Sequence, residues 1–276
     1  MSTFWCNPWI INISCSVSGV LFGYFIQWAK TKLIKRDLHK LLWREKNTCD
    51  LKVIHGGYAD IPTVAKKTRF PPNTSFPLQG PTDEVELISY CELYQEWGKL
   101  NGHPIDFVTD IFQGQEMDIN MLTLGGPDYN NKTYDIIHHP QNKFITQWPT
   151  GGEEIKIDDN AMPFKSGQGE YGFIMRITSP EQKSWMVCAG FDALGTKGAG
   201  YFFAHQWERM KKITSPLSCI PFVKVPDFLF VIKLDEHEEP NYRESHIVAV
   251  FTQSKGIVKE IKKGRGARKH IVGYTH

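Results

Sequence analysis

The chain has 276 residues, with 32 Lys and Arg against 30 Asp and Glu, and 41% of its residues are hydrophobic and 22% charged. This balance excludes an intrinsically disordered, collagen-like or disulfide-dense chain. The formal net charge of +2 is unevenly distributed, because residues 30–46 and 255–269 together carry +11 and the remainder is therefore net −9. A nucleic-acid-binding domain would itself present a positive face, so this distribution argues against nucleic acid as the main partner.

The first element of the chain is an apolar segment. Residues 1–29 have no charged side chain, and residues 9–28 supply the roughly twenty residues with which a helix crosses a bilayer. Six basic side chains follow within residues 30–44, and the positive-inside rule places such a flank in the cytoplasm. A cleaved signal peptide would have a basic start and a shorter apolar run. The sequence therefore predicts one transmembrane helix in residues 1–30, at the cytoplasmic (inner) membrane, with the body in the cytoplasm.

Two further features bear on this segment. Residues 31–48 are basic with interspersed apolar side chains, which predicts an amphipathic stalk that binds anionic lipid; a basic tail in residues 255–276 is expected to do the same. Gly19 and Gly23 stand at the GxxxG spacing of associating spans, so we expect a homo-oligomer. The alternatives for the apolar segment are a buried helix of a soluble protein and a helix that lies on the membrane surface.

The body, residues 49–254, is predicted to be an α/β domain with a parallel core and antiparallel additions. The elements predicted in its first half are, in chain order, a strand at Asp50–Ile54, a loop at 61–79, a helix from Thr82 to Trp97, strands at Pro104–Phe112 and Asp118–Leu124, and a helix at Lys132–His138. Those predicted in its second half are a β insertion with strands at Lys143–Trp148, Glu154–Ile157 and Tyr171–Thr178, a buried strand at Ser184–Ala189 followed by a helix, and a hairpin of Phe228–Leu234 and His246–Thr252.

A glycine-rich turn follows the strand that ends at Leu124. In open α/β sheets ligands bind at such strand ends, where glycines let a ligand approach the backbone and a helix N-terminus favours an anion. The candidate ligand-binding residues of this first loop are Gly125, Gly126, Pro127, Asn130, Asn131 and Thr133. The structural alternative is a tight turn in which Asn131 only caps the helix.

A second unit of the same kind is a strand that ends at Ala189, followed by a glycine-rich turn and a helix. The candidate ligand-binding residues of this second loop are Gly190, Asp192, Gly195 and Thr196. Thr196 is expected to cap the helix or to donate its hydroxyl to a ligand, and Asp192 to accept hydrogen bonds from ribose hydroxyls. If the two strands are neighbours, the two loops flank one crevice.

The polar residues suggest no settled chemistry. Neither loop has a base paired with an activated nucleophile, so no catalytic residue is assigned. The six cysteines show no metal-binding spacing, and the turns match neither a dinucleotide nor a P-loop fingerprint. We therefore expect no metal and no cofactor.

At these loops the sequence resembles a group of poorly characterised prokaryotic α/β proteins in which one strand ends in GGPxxN and a later one in AGxxxxGTxxA. The motifs read here as GGPDYN in residues 125–130 and AGFDALGTKGA in residues 189–199, with YGFIM in residues 171–175 before the second. The resemblance covers roughly residues 49–212. It implies a Rossmann-like, mostly parallel sheet attached to a variable N-terminal module, here a membrane span, and it implies no particular activity.

A looser likeness is to nucleoside deoxyribosyltransferases, whose DxGTxxExG segment carries an aspartate and a catalytic glutamate. The comparable stretch here is residues 192–200, with one extra residue before Gly195 and with Ala199 where the glutamate falls. This likeness implies an enzyme only if another carboxylate, such as that of Glu170, enters the pocket.

Three functional hypotheses follow. The first is a membrane-anchored cytosolic sensor or effector, of the stress or antiviral defence type, in which an anionic, nucleotide-derived ligand clusters the spans. The second is a membrane-tethered nucleoside or nucleotide glycosidase that uses Asp192 and an unidentified carboxylate. The third is a passive membrane scaffold whose loops bind nothing.

Overall fold

The computed structural model describes residues 19–33, 51–56, 106–109, 116–149, 154–165, 171–214, 225–234, 245–254 and 257–260. Residues 1–18 of the predicted transmembrane helix, residues 34–48 of the predicted stalk, the loop at 61–79, the helix from Thr82 to Trp97 and the tail beyond residue 260 lie outside these residues.

The described residues contain strands in two sheets and three helical segments. The strands are β1 (Leu51–His55), β2 (Asp106–Thr109), β3 (Asn120–Leu124), β4 (Ile145–Gln147), β5 (Glu154–Ile157), β6 (Asn160–Lys165), β7 (Tyr171–Thr178), β8 (Ser184–Gly190), β9 (Asp227–Leu234), β10 (Ser245–Ser254) and β11 (Ile257–Glu260). The helical segments are α1 (19–33), α2 (Asn131–Ile137) and α3 (Ala193–Thr214).

The main sheet has eight strands in the order β11-β10-β9-β7-β8-β3-β1-β2. The strands β2, β1, β3 and β8 pair in parallel, whereas every pairing from β8 through β7, β9 and β10 to β11 is antiparallel. Since β9 and β11 point the same way as the parallel four, only β7 and β10 run in the opposite direction. The structure thus confirms an α/β domain with a parallel core and antiparallel additions.

Both faces of this sheet are covered, which explains why β3 and β8 are buried along their whole length. Helix α3 covers one face through an apolar stripe that includes Ala199, Phe203 and Trp207. Helix α2 and the small antiparallel sheet β4-β5-β6 cover the other face. The described residues therefore form three layers: α3 on one face of the main sheet, and α2 with the small sheet on the other.

The predicted β insertion is confirmed for β4 and β5 but is wrong for the third strand. β7 enters the main sheet between β8 and β9, and the third strand of the small sheet is β6, which the sequence analysis missed. The hairpin of β5 and β6 turns through Asp158 and Asp159, both with positive φ (50° and 59°), as a two-residue type I′ turn requires. The pair of aspartates was the available sequence signal for this hairpin.

The C-terminal hairpin of β9 and β10 is confirmed, with a bulge between Ile247 and Ala249. The segment predicted as a basic tail begins with a further strand, since β11 pairs with the end of β10. Among the residues that the structure describes, no helix is both long and apolar enough to cross a membrane.

Candidate functional site

The two glycine loops lie against each other at the carboxyl edge of the parallel strands. β3 and β8 are neighbours, with Leu124 opposite Cys188, and the amide of Gly125 donates a 3.0 Å hydrogen bond to the Cys188 carbonyl. A Cβ atom on Gly126 would stand 3.4 Å from the carbonyl oxygen of Gly190. The two strands are therefore neighbours, as the prediction of a shared crevice requires, and the two loops lie side by side.

This edge also contains the point at which the sheet changes its winding direction. From β1 the chain moves outward to β2 and then returns past β1 to β3 and β8, so the switch lies between β1 and β3. Open α/β sheets bind ligands beside this position. Here the amide Nδ2 of Asn130 donates to the carbonyls of Ile54 (2.9 Å) and Leu124 (2.8 Å) and joins the ends of the two strands.

Asn130 is also the cap of α2. Its Oδ1 accepts hydrogen bonds from the amides of Lys132 (2.9 Å) and Thr133 (3.1 Å), and its side chain is fully buried. Both ends of the side-chain amide are thus used inside the protein. The structural alternative that named Asn131 as the cap is wrong by one residue, because Asn131 is the first residue of the helix.

Thr133, another polar residue predicted in the first loop, is also engaged internally. The Thr133 hydroxyl lies 2.8 Å from Thr123 Oγ1 and 2.9 Å from the carbonyl of Gly125, and it is fully buried. Gly125 has a φ of 101°, a conformation that favours glycine. Of the six residues predicted here, only Asn131 is partly exposed.

In the second loop, Asp192 caps α3. Its Oδ1 accepts a 2.7 Å hydrogen bond from the amide of Gly195, and its carbonyl accepts from the amide of Thr196 at 3.1 Å. The Thr196 hydroxyl accepts from the amide of Gly190 (3.0 Å) and donates to the Asp192 carbonyl (3.1 Å). Thr196 is 4% exposed, whereas Asp192 is exposed. The cap is thus Asp192 rather than Thr196, and Thr196 holds the loop closed.

The glycines of the second loop allow α3 to touch the sheet without intervening side chains. A Cβ atom would stand 2.3 Å from the amide of Thr196 if placed on Gly190, and 2.2 Å from the carbonyl of Tyr171 if placed on Gly195. On Gly172 it would stand 2.7 Å from the Gly195 carbonyl. These distances make close helix–strand packing the role of all three glycines. Gly172 lies in the YGFIM motif, but no role for it was predicted.

Aromatic side chains that the sequence analysis did not select pack beside both loops. The indole of Trp148 covers Gly126, whose Cβ position lies 3.5 Å from Cζ2. Phe191 follows β8 directly, and its ring centroid lies 4.9 Å from that of Phe173, 5.7 Å from that of Trp148 and 6.2 Å from that of Tyr171. Phe191 and Tyr171 are half-buried, so each residue is partly accessible at this edge.

These contacts change the electrostatics expected of the site. The Lys132 and Thr133 amides of α2 and the Gly195 amide of α3, which were expected to face an anion, bond instead to the caps Asn130 and Asp192. The Asp192 carboxylate also places a negative charge at the start of α3, where a ligand anion would otherwise benefit from the helix dipole. The accessible groups here include the Asp192 carboxylate, the 45% exposed Tyr129 ring and the partly exposed Asn131. The carboxylate can accept hydrogen bonds from hydroxyl groups of a ligand, and the aromatic ring can pack against a planar ring.

No reactive group is evident at this edge among the described residues. Burial raises the pKa of the Cys188 thiol, which lies in the core beneath both loops, and so keeps it neutral and unreactive. The described ranges contain no cluster of three His, Cys, Asp or Glu residues that could hold a metal ion. Glu170, the carboxylate suggested as a catalytic partner of Asp192, lies outside the described residues.

Comparison with known proteins adds no relative. No protein-family model matches the sequence, and no curated protein or solved structure shows significant similarity to it.

Proposed function

We propose that the chain is a membrane-anchored sensor whose cytosolic, Rossmann-like domain binds a small nucleotide-derived molecule at the edge where the two glycine loops meet. The observation on which the proposal rests is the direct contact of the loops, with the Gly126 Cβ position 3.4 Å from the Gly190 carbonyl. A single ligand can therefore touch both loops at once.

Three properties of this edge support a nucleotide-derived ligand. It lies at the carboxyl ends of parallel strands, beside the switch between β1 and β3, where open α/β sheets bind their ligands. Its exposed carboxylate, Asp192, is placed to accept hydrogen bonds from ribose hydroxyls. The half-buried rings of Tyr171 and Phe191 offer faces on which a base can stack.

The phosphate part of the ligand needs donors other than those used by the caps. The Asn130 and Asp192 side chains occupy amides in the first turns of α2 and α3. An anion held there would have to displace a capping side chain, which costs about 1 kcal/mol. We therefore place the sugar and base against the described rim and the phosphate beyond it.

The membrane anchor in this proposal is supported by the exposure of α1. The apolar side chains from Val20 to Ile26 are between 50% and 74% exposed and lie on all sides of the helix. A helix that is apolar all round is stable in the core of a large protein or in a membrane. The basic residues that follow it favour a cytoplasmic position for the α/β domain.

The test is a ligand screen on the full chain reconstituted in lipid nanodiscs. Nucleosides, mononucleotides, dinucleotides and cyclic nucleotides are each added, and both the unfolding temperature and the release of free base are measured. A ligand present at about one hundred times its Kd stabilises the folded state by about 2.7 kcal/mol. A raised unfolding temperature without base release supports the sensor. Base release would instead establish a glycosidase, and no response to any compound would favour a passive scaffold.

Signal transmission in this proposal requires that the ligand bind the clustered state more tightly than the dispersed state. A ligand with equal affinity for both states shifts nothing, however tightly it binds. Energy transfer between donor- and acceptor-labelled chains in one vesicle measures clustering directly. We expect it to increase on addition of the stabilising nucleotide and to stay constant on addition of a nucleotide that gives no thermal shift.

A further inference from the structure

We propose that residues 27–32 form an interfacial collar that binds anionic phospholipid head groups and sets the depth of α1 in the bilayer. The collar comprises Gln27, Trp28, Lys30, Thr31 and Lys32. The inference rests on the membrane anchor of the proposed function and adds its lipid partner and its position.

The part of α1 that precedes the collar has no polar side chain other than the Tyr24 hydroxyl. The exposed fractions are 72% for Val20, 65% for Phe22, 74% for Tyr24 and 50% for Ile26. Successive residues of a helix are about 100° apart, so a run of this length places apolar groups on every side. A single protein groove would cover one side only, whereas hydrocarbon surrounds the whole helix.

The character of the helix changes immediately after Ile26. Gln27 is the first long polar side chain, and Lys30 and Lys32 are the first cations. The Thr31 hydroxyl donates a 2.9 Å hydrogen bond to the carbonyl of Gln27, so its polar group is satisfied within the helix and tolerates a dehydrated interface. This change within one turn is expected where a helix leaves hydrocarbon for the head groups.

Trp28 and Lys32 form a unit suited to that boundary. The ammonium of Lys32 lies 4.1 Å from the centroid of the Trp28 ring, and the Trp28 ring also packs on Phe25 at 5.8 Å. Helical side chains point back toward the N-terminus, so the Lys32 charge stands closer to the apolar segment than its own backbone does. Cation–π attraction strengthens when water is removed, and tryptophan is enriched at the membrane interface.

The charges of the collar complement an anionic lipid surface on both sides of the helix. Lys32 stands on the Trp28 side, whereas Lys30 is two residues from each of them and points to the opposite side. Both lysines are exposed. Lys30 and Lys32 lie at a similar depth on the helix, and the apolar side chains of α1 lie below them. This arrangement matches a lipid surface, in which phosphate groups lie above the hydrocarbon.

The test measures the depth of Trp28 in vesicles that contain roughly one-fifth anionic lipid, enough to give the surface a negative potential. The full chain and its Trp28→Phe variant are reconstituted with phospholipids brominated either near the glycerol or near the chain end. The difference between the two proteins isolates the Trp28 fluorescence. We expect shallow bromines to quench this signal at least about twofold more strongly than deep ones, because the ring lies at the interface.

Two further variants separate the collar from a general property of the helix. Phe25→Trp, made in the Trp28→Phe background, moves the probe about one turn deeper and should reverse the preference. Lys32→Gln should reduce the shallow preference of Trp28 by about half, whereas Lys32→Arg should preserve it, because arginine also stacks on an indole.

The possible results distinguish the collar from the anchor. Equal or deeper quenching of Trp28, or an unchanged preference in Lys32→Gln, overturns the collar while the anchor stands. Failure of the wild-type chain to associate with any vesicle overturns both the anchor and the collar. The ligand screen on the full chain measures the unfolding temperature and base release rather than the depth of Trp28, so failure of the collar leaves its result unaffected.

Discussion

The two glycine loops have similar sequences but hold their helices by different means. In the first loop a side chain holds the helix in place, since Asn130 caps α2 and joins the ends of β1 and β3. In the second loop close backbone packing holds the helix, since Gly190 and Gly195 let α3 touch the sheet directly. Two loops with the same pattern of strand, glycines and helix can therefore be sensitive to substitution at different residues.

The largest effect is expected at the glycines of the second loop. Gly190→Ala or Gly195→Ala places a Cβ atom 2.3 Å or 2.2 Å from backbone atoms that cannot move independently. We expect a loss of about 3 kcal/mol or more in the free energy of unfolding, because overpacking against backbone forces the helix away from the sheet. Urea unfolding of each variant gives this value. A loss below about 1 kcal/mol would show that α3 does not rest on the sheet as described.

The next largest effect is expected at Asn130. Asn130→Ala removes the cap of α2 and leaves the carbonyls of Ile54 and Leu124 without their donor, which together should cost about 2–4 kcal/mol. Asn130→Ser is the matched control, because serine caps a helix but is too short to join the two strands. It should recover about 1 kcal/mol of the loss in urea unfolding. Equal losses in both variants would contradict the double role of Asn130.

A smaller effect is expected at the cap of the second loop. Asp192→Ala removes the acceptor of the Gly195 amide and should lower the unfolding free energy by about 1 kcal/mol. Asp192→Asn keeps a capping oxygen and should lose less than about 0.5 kcal/mol. If both substitutions destabilised the protein equally, the carboxylate charge rather than the cap would be the important property.

The smallest effect is expected at Gly126, the glycine of the first loop that corresponds most closely to Gly190. A Cβ atom there would make ordinary contacts, 3.4 Å from the Gly190 carbonyl and 3.5 Å from Trp148. Gly126→Ala should therefore change the unfolding free energy by about 0.5 kcal/mol or less. A loss as large as that of Gly190→Ala would remove the contrast between the loops.

Much of the fold was predictable because β3, β7 and β8 are apolar runs that are almost entirely buried, and because β5 alternates between buried and exposed side chains. The bounds of β5 and β7 agree with the prediction, and those of β3 and β8 agree to within two residues. β6 escaped prediction because its sequence contains Pro163, which cannot donate to a strand ladder, and β11 because its charged and largely exposed residues show no buried pattern. β7 joins the main sheet through an antiparallel hairpin with β8, closed by a short turn at residues 179–183 that the prediction did not use, and through pairing with β9, more than fifty residues away, which no local signal encodes.

The candidate site was predictable in place but not in detail. The two loops could be located because each follows a buried strand and begins a helix. Which residue caps each helix depends on where the chain turns, and the difference between Asn130 and Asn131 is a single residue. The role of the glycines depends on how closely α3 approaches Gly172 and Tyr171, a tertiary distance that one sequence does not show.

The central claim, that the loop edge binds the ligand, is tested most directly by comparing variants at opposite edges of the sheet. Asp192→Asn alters the rim and keeps the cap, whereas Asp118→Asn removes a carboxylate that lies near Lys183 at the amino edge. The measurement is the thermal shift that the stabilising nucleotide produces in each variant. We expect the thermal shift to fall by at least about half in Asp192→Asn, because a charged acceptor bonds a hydroxyl about twice as strongly as a neutral one. We expect an unchanged shift in Asp118→Asn. A full shift in Asp192→Asn would contradict the claim that the ligand binds at the loop edge.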